Sequence, residues 1–301
     1  MEIYKKSINL VSNEFEIIKK LGCGSFGEVY LTKIIKLNKY VASKIEDKKN
    51  IKKNSKILDE YKIYKILELK GLQEGIPKIY SYYETPKFNV LVMELLGDNL
   101  DTLFTKYNRK FNLCTILKLS VDLIKLIEQI HNCGFVHRDI KPNNFMFGIN
   151  DKKSNLYILD FGLSKKYCKN KKHIEYKTNK SLVGTARYTS INVHLGIEPS
   201  RRDDLESIGY MLVYFMKGSL PWQGLKKQKN IDQIELIGDV KLSTSIKSLC
   251  EGLPSCINDY LEYVRKLTFD EHPNYKYLKN LFINYASDYN EIIRYDFDDE
   301  I

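Results

Sequence analysis

The sequence predicts an α+β fold in two lobes, a small β-rich lobe first and a larger, mostly helical lobe after it. Three observations predict this. Five short runs rich in β-branched and aromatic residues crowd into the stretch that ends at about Glu94. From residue 98 onward the apolar residues recur at helical spacing. Between the two patterns lies a short connector near Leu96 to Asp98. The division expected is residues 1–96 and 97–290, with a short acidic end at 291–301.

The elements follow in order. FEIIKKL, EVYLTKI, YVASKIE, KIYSYYE and FNVLVME read as strands. Between the third and fourth, KILDEYKIYKILELKG has helical spacing and stops at Gly71. LCTILKLSVDLIKLIEQIHNCG sets Ile116, Leu119, Leu123, Ile127 and Ile130 on one stripe, with Gly134 at its end. LYILDFG reads as a short strand running into a turn. DDLESIGYMLVYFMKG is apolar nearly all round, which predicts a buried core helix, and Pro221 follows it shortly. A small β lobe, a connector and a helical lobe would leave a cleft in which a nucleotide could lie.

Composition narrows the function classes. The chain has 301 residues and 43% hydrophobic content, ample for a sizeable core. No window of about 18 uninterrupted apolar residues occurs, so no membrane span is expected. The opening MEIYKKSINLVSNEFEIIKK lacks the apolar core and cleavage site of a secretory signal. None of the six cysteines forms a C-x-x-C pair, which predicts reduced thiols, an intracellular setting in cytoplasm or nucleus, and no structural zinc site. The net charge of +10 suits acidic partners of several kinds. The lysine runs at 48–56 and 165–172 read as solvated faces, and no zinc-finger or RNA-recognition pattern accompanies them.

GCGSFGEV, at 22–29, places Gly22, Gly24 and Gly27 where side chains would keep the backbone from a phosphate. The spacing alone fits a plain hairpin, a dinucleotide-binding turn or a phosphate-covering loop. A dinucleotide fold needs a helix next and an acidic residue about 20 positions on. Here two strands follow, the second carrying Lys44. Further on come HRDIKPNN at 137–144 and DFG at 160–162. A lone Asp-Phe-Gly means little. The ordered set of glycine loop, strand lysine, helix glutamate, H-R-D…N and D-F-G resembles the protein-kinase signature, and so the bilobal protein-kinase fold.

Phosphoryl transfer from ATP needs these residue types. Amides of the glycine loop and the Lys44 ammonium would meet the phosphates. Glu60, on the first helix, is the candidate to steady Lys44, with Glu46 and Glu68 as alternatives. Asp160 and Asn144 are oxygen ligands suited to Mg²⁺. Asp139 would take the proton of the acceptor hydroxyl, and Lys141 would offset charge on the transferred group. A lysine at that position, rather than A-A-R or R-A-A, points to serine or threonine as acceptor.

The stretch LVGTARYTSINVHLGIEPSRRDDLESIGYMLVYFMKGSLPWQGLK at 182–226 resembles the casein kinase 1 family, as do MELLGDNLDTLF at 93–104 and HRDIKPNNFMFG at 137–148. Where most protein kinases carry A-P-E, this chain has Ser190, Ile191 and Asn192, the S-I-N of that family. Asp203 favours it over the similar vaccinia-related kinases. The resemblance runs from about Phe15 to the YDF near Phe297. It implies an ATP site of Gly22, Cys23, Gly24, Ser25, Phe26, Gly27, Val29, Ala42, Lys44 and Glu60, with Met93 as gatekeeper and the backbones of Glu94 and Leu96 at adenine. It implies that Asp204 anchors the catalytic loop, that Thr185 positions Lys141 and Asp139, and that Arg187 binds an acidic or phosphorylated residue three positions before the acceptor.

One departure stands out. The family's second anion-site lysine falls at Gln233 here, with Lys226, Lys227 and Lys229 close by. The family usually needs no phosphate on its activation segment, although Thr178 and Ser181 lie there. The chain ends in DFDDEI, so tail autoinhibition is not expected; a small globular kinase of this kind is expected to be a monomer. The other reading kept is a pseudokinase scaffold for protein partners, against which Lys44, Asp139, Asn144 and Asp160 are all present.

Overall fold

The computed structural model describes residues 14–24, 27–51, 54–169, 172–226 and 232–296. The chain divides into two compact units, residues 1–97 with 146–162, and residues 98–145 with 163–301.

The first unit is built on a five-stranded antiparallel sheet, β1 (Phe15–Gly24), β2 (Gly27–Ile34), β3 (Lys39–Asp47), β4 (Ile79–Glu84) and β5 (Phe88–Met93), in the order β1-β2-β3-β5-β4. All five expected strands form. The period-2 alternation of a strand divides their residues between two faces. Val41 and Ile45 of β3 join Phe15, Ile17, Tyr30, Phe88, Val90 and Val92 in one buried cluster. Val29, Ala42, Lys44 and Met93 share the opposite face, because Val29 lies across from Lys44 and Ala42 across from Met93.

Helix α1 (Lys56–Leu69) begins where expected. Ser55 caps it, its hydroxyl accepting from the Leu58 amide at 3.0 Å. Glu46 adds to this cap by accepting from the Lys56 amide at 3.0 Å. A left-handed Gly71 closes the helix end. The hairpin of β7 (Phe145–Phe147) and β8 (Leu156–Ile158) returns the chain to this unit. Ile158 donates to the Gly75 carbonyl at 2.8 Å and Gly97 to the Phe147 carbonyl at 2.8 Å.

The second unit is mostly helical. Its helices are α2 (Leu100–Lys106), α3 (Leu113–Asn132), α4 (Ile191–His194), α5 (Arg201–Lys217), α6 (Gln233–Ser243), α7 (Ile246–Leu249), α8 (Ser255–Lys266) and α9 (Tyr275–Asp288). Helix α3 packs on α5 and α9, and α5 packs on α8. The stripe foreseen on α3 is buried. So is α5 over most of its length, including Tyr210 to Phe215. At Gly209 a Cβ would stand 2.4 Å from a Leu261 methyl, so α5 and α8 meet at the closest approach a glycine allows. The two-residue strands β6 (Phe135–Val136) and β9 (Lys165–Lys166) pair antiparallel. Among the described residues no helix is long and apolar enough to cross a membrane.

Candidate active site

In the first unit the site begins on the Lys44 face of the sheet. The Lys44 Nζ lies 2.7 Å from Glu60 Oε2 and 2.9 Å from Asp160 Oδ1. Both lysine and glutamate are buried. Burial opposes charge on Lys44, but the two carboxylates outweigh it and hold its pKa above the ordinary lysine range. Burial pushes Glu60 up to about 6. The alternatives are otherwise engaged: Glu46 caps α1, and Glu68 pairs with Lys65 at 2.8 Å.

The glycine loop crosses from β1 to β2, with Gly22 opposite Val29, Cys23 opposite Glu28 and Gly24 opposite Gly27. A Cβ on Gly27 would lie 2.4 Å from the Ile45 carbonyl oxygen, so no other residue fits there unmoved. Ser25 and Phe26 lie outside the described residues. Cys23 is exposed. Met93 ends β5 buried, and Leu96 is buried beyond it. Glu94 donates its amide to the Lys78 carbonyl at 2.8 Å, while its carboxylate accepts from the Lys78 amide and pairs with Lys152 at 2.9 Å. Its amide is therefore engaged by the Lys78 carbonyl just past the strand ends.

Asp160 takes a left-handed φ of 64°. That conformation is costly for a residue with a Cβ and holds only where neighbours fix it. Phe161, fully buried, packs edge-on to Tyr64 of α1 at 4.9 Å. Asp160 offers a carboxylate, with Oδ1 at Lys44. Asn144 donates its Nδ2 to Asp139, which turns the amide so that Oδ1 is the ligating end. Both are hard oxygen donors and fit Mg²⁺.

In the second unit Asp139 is the centre. Its Oδ1 accepts from the Thr185 hydroxyl at 2.8 Å, and its Oδ2 from Lys141 Nζ at 2.6 Å. Asn144 Nδ2 donates to the Asp139 carbonyl at 2.8 Å. Lys141 also reaches Thr185, at 3.4 Å. The chain can turn here because Gly184 has φ +91° and sits against Arg138; a Cβ would be 2.3 Å from that carbonyl.

Beneath this loop lies Asp204 of α5, 2% exposed. Its carboxylate accepts from the His137 amide at 2.6 Å, the Arg138 amide at 2.8 Å and His131 Nε2 at 3.0 Å. Burial works against the charge, but these donors outweigh it and keep Asp204 below the ordinary carboxylate range. Burial pulls His131 down as well, which fits a neutral imidazole whose Nδ1 faces the Tyr275 hydroxyl at 2.7 Å. Neither His131 nor Tyr275 carries a motif signal, and the sequence reading missed both.

Arg187 is exposed, its guanidinium 5.8 Å from the Tyr188 ring and 5.9 Å from Tyr214. Among the described residues no carboxylate forms an ion pair with it. Gln233 opens α6 and donates to the Leu225 carbonyl at 3.4 Å. Lys226 is exposed, and Lys227 and Lys229 lie outside the described residues. A cluster the sequence reading also missed surrounds buried Glu198: Lys165 at 2.8 Å, Arg138 at 3.8 Å and Lys180 at 3.9 Å.

A family model for the protein kinase domain matches residues 15–272. The chain belongs to the protein kinase family, and its α+β architecture, a β-sheet region followed by a helical one, is that family's fold. It is a phosphotransferase that uses ATP and takes protein substrates.

Proposed function

We propose that this protein kinase is a serine/threonine kinase of casein kinase 1 type, acting on acceptors preceded by acidic or phosphorylated residues. The observation that carries the reading is the Asp139 carboxylate, held at one oxygen by Thr185 and at the other by Lys141. A carboxylate so oriented accepts the acceptor hydroxyl's hydrogen bond and takes its proton as the phosphoryl group is attacked. Lys141 offsets the charge on that group.

The first unit handles the nucleotide. Lys44, fixed by Glu60, meets the phosphates, and the glycine loop covers them with backbone amides. Ala42, Val29, Met93 and Leu96 give the base an apolar surround, with the Glu94 carbonyl as acceptor. Asp160 in the first unit and Asn144 in the second are each oxygen donors of the kind Mg²⁺ takes, and Mg²⁺ when bound neutralises phosphate charge. Every group the transfer requires is present, which supports an active enzyme over a scaffold.

Arg187 supports the acidic-acceptor preference, since an exposed guanidinium with no ion-pair partner among the described residues suits a phosphate or carboxylate. Glu198 supports independence from activation-segment phosphorylation. Its carboxylate already supplies the negative charge among Arg138, Lys165 and Lys180. Six cysteines without a C-x-x-C pair support an intracellular setting.

The test is transfer from labelled ATP with Mg²⁺ to paired peptides, one with phosphoserine three residues before the acceptor serine and one with plain serine there. Transfer is expected in wild type, lost in Asp139→Asn, and favoured on the primed peptide unless Arg187 is changed to Ala. ATP binding without transfer to any acceptor would overturn the reading.

A further inference from the structure

Lys241 of α6 is fully buried. Burying an ammonium costs several kcal/mol unless its hydrogens are satisfied. No carboxylate forms an ion pair with it among the described residues. Instead, its Nζ donates to the carbonyls of Ala186, at 2.7 Å, and Thr189. The faces of Tyr210 and Trp222 lie 5.1 Å away. Burial pulls its pKa down to about 7. Charged or neutral, the amine keeps at least two hydrogens for the two carbonyls.

Those carbonyls belong to the segment carrying Arg187, and others act on the same backbone. The Trp222 indole donates to the Arg187 carbonyl at 2.7 Å, and His194 Nε2 stands 3.3 Å from the Ala186 carbonyl. Thr185, at the segment's start, binds Asp139. The carbonyls of Ala186, Arg187 and Thr189 are thus claimed by side chains from outside the segment, while the Arg187 side chain is exposed. Where a backbone is fixed from behind, the Cα–Cβ direction of its exposed side chain is fixed with it, and the guanidinium is confined to the rotamers that start from that one direction.

We propose that Lys241 is a positioning residue for acceptor selection: it clamps the 186–189 backbone so that Arg187 presents its guanidinium to the acidic residue of the acceptor. The inference rests on the acidic-acceptor reading above and adds to it a residue that never touches substrate. Helix α6 thereby contributes to specificity through Lys241, although its first residue, Gln233, stands where a lysine was expected.

The experiment combines hydrogen exchange with kinetics on wild type, Lys241→Met and Lys241→Gln. Met keeps the length and removes the donors; Gln keeps one donor group and covers the case in which Met fails to fold. The Tyr188 and Thr189 amides, both bonded to the Thr185 carbonyl, report on the segment. In Lys241→Met their exchange should quicken about tenfold or more, while amides of α5 and α8 keep wild-type rates. The KM for a phosphoserine-primed peptide should rise about tenfold, with less than about a twofold change for the unprimed peptide and for ATP. Added to Arg187→Ala, Lys241→Met should cost the primed peptide nothing more.

Unchanged exchange at Tyr188 and Thr189 would overturn the proposal. So would an equal rise in KM for both peptides, which marks a general structural loss. Wild-type transfer with no preference between the peptides would overturn the acceptor reading instead, before any variant is compared, and the exchange arm would still decide whether Lys241 holds the segment.

Discussion

Asp204→Asn isolates the anchor beneath the catalytic loop. The carboxylate accepts from two backbone amides and His131. An asparagine keeps the shape and loses the charge. If its oxygen takes the Oδ2 position, the His137 amide and His131 remain bonded, but the new NH₂ faces the Arg138 amide, donor against donor. One charge-assisted bond is lost, a buried donor is left unmet and two bonds are weakened, about 2–4 kcal/mol in all. A domain of ordinary stability, about 5–15 kcal/mol, survives that loss. Trp222, the only tryptophan of the chain and buried in the same unit, reports urea unfolding by its fluorescence. The midpoint should fall with an unchanged slope. The pH dependence has a definite sign. The folded carboxyl lies below its ordinary 3.8, so the stabilisation is fully present above pH 3.8 and is lost as pH falls through the folded value. The variant and wild-type curves should therefore converge in acid. Turnover should also fall, because the Arg138 amide adjoins Asp139. A midpoint shift worth less than about 0.5 kcal/mol, with turnover intact, would refute the anchor argument.

Three further outcomes are expected. Glu60, raised to about 6 by burial, should give an acid limb: as pH falls through 6 the carboxyl protonates, Lys44 loses a partner and the KM for ATP rises. Glu60→Gln should be poor at all pH and lack that limb, as initial rates between pH 5 and 8 would read. Gly27→Ala should weaken binding of a fluorescent ATP analogue about tenfold or more, because its Cβ would strike the Ile45 carbonyl, whereas Gly22→Ala, with open space around its Cβ, should bind nearly as wild type. Cys23, exposed in the glycine loop, should react with maleimide before buried Cys133, Cys250 and Cys256, and ATP with Mg²⁺ should slow that reaction, both followed by peptide mass mapping.

The five strands, α1, α3 and α5 were legible because each has a local signal: β-branched runs, a 3.6-residue period, or a glycine at the end. The shared strand face of the candidate nucleotide residues was legible for a related reason. Period-2 alternation sets Ala42 and Lys44 on the strand face opposite Val41 and Ile45, whatever else the chain does. The choice of Glu60 over Glu46 and Glu68 was not local. It was decided when α1 brought Glu60 to Lys44, set its first amide on Glu46 of β3 and left Glu68 paired with Lys65.

The sequence by itself determined the protein's chemistry. Lys44, Asp139, Asn144 and Asp160 stand in the ordered motifs of the protein kinase family, which the matched domain bears out. Only the tertiary structure decided what holds them. His131 with Asp204, Glu198 among Arg138, Lys165 and Lys180, and Lys241 under Ala186 and Thr189 join residues far apart in the chain. No spacing rule links such partners. They are selected by burial, which makes an unmet polar group costly and leaves each to whatever donor or acceptor the packed helices bring within reach.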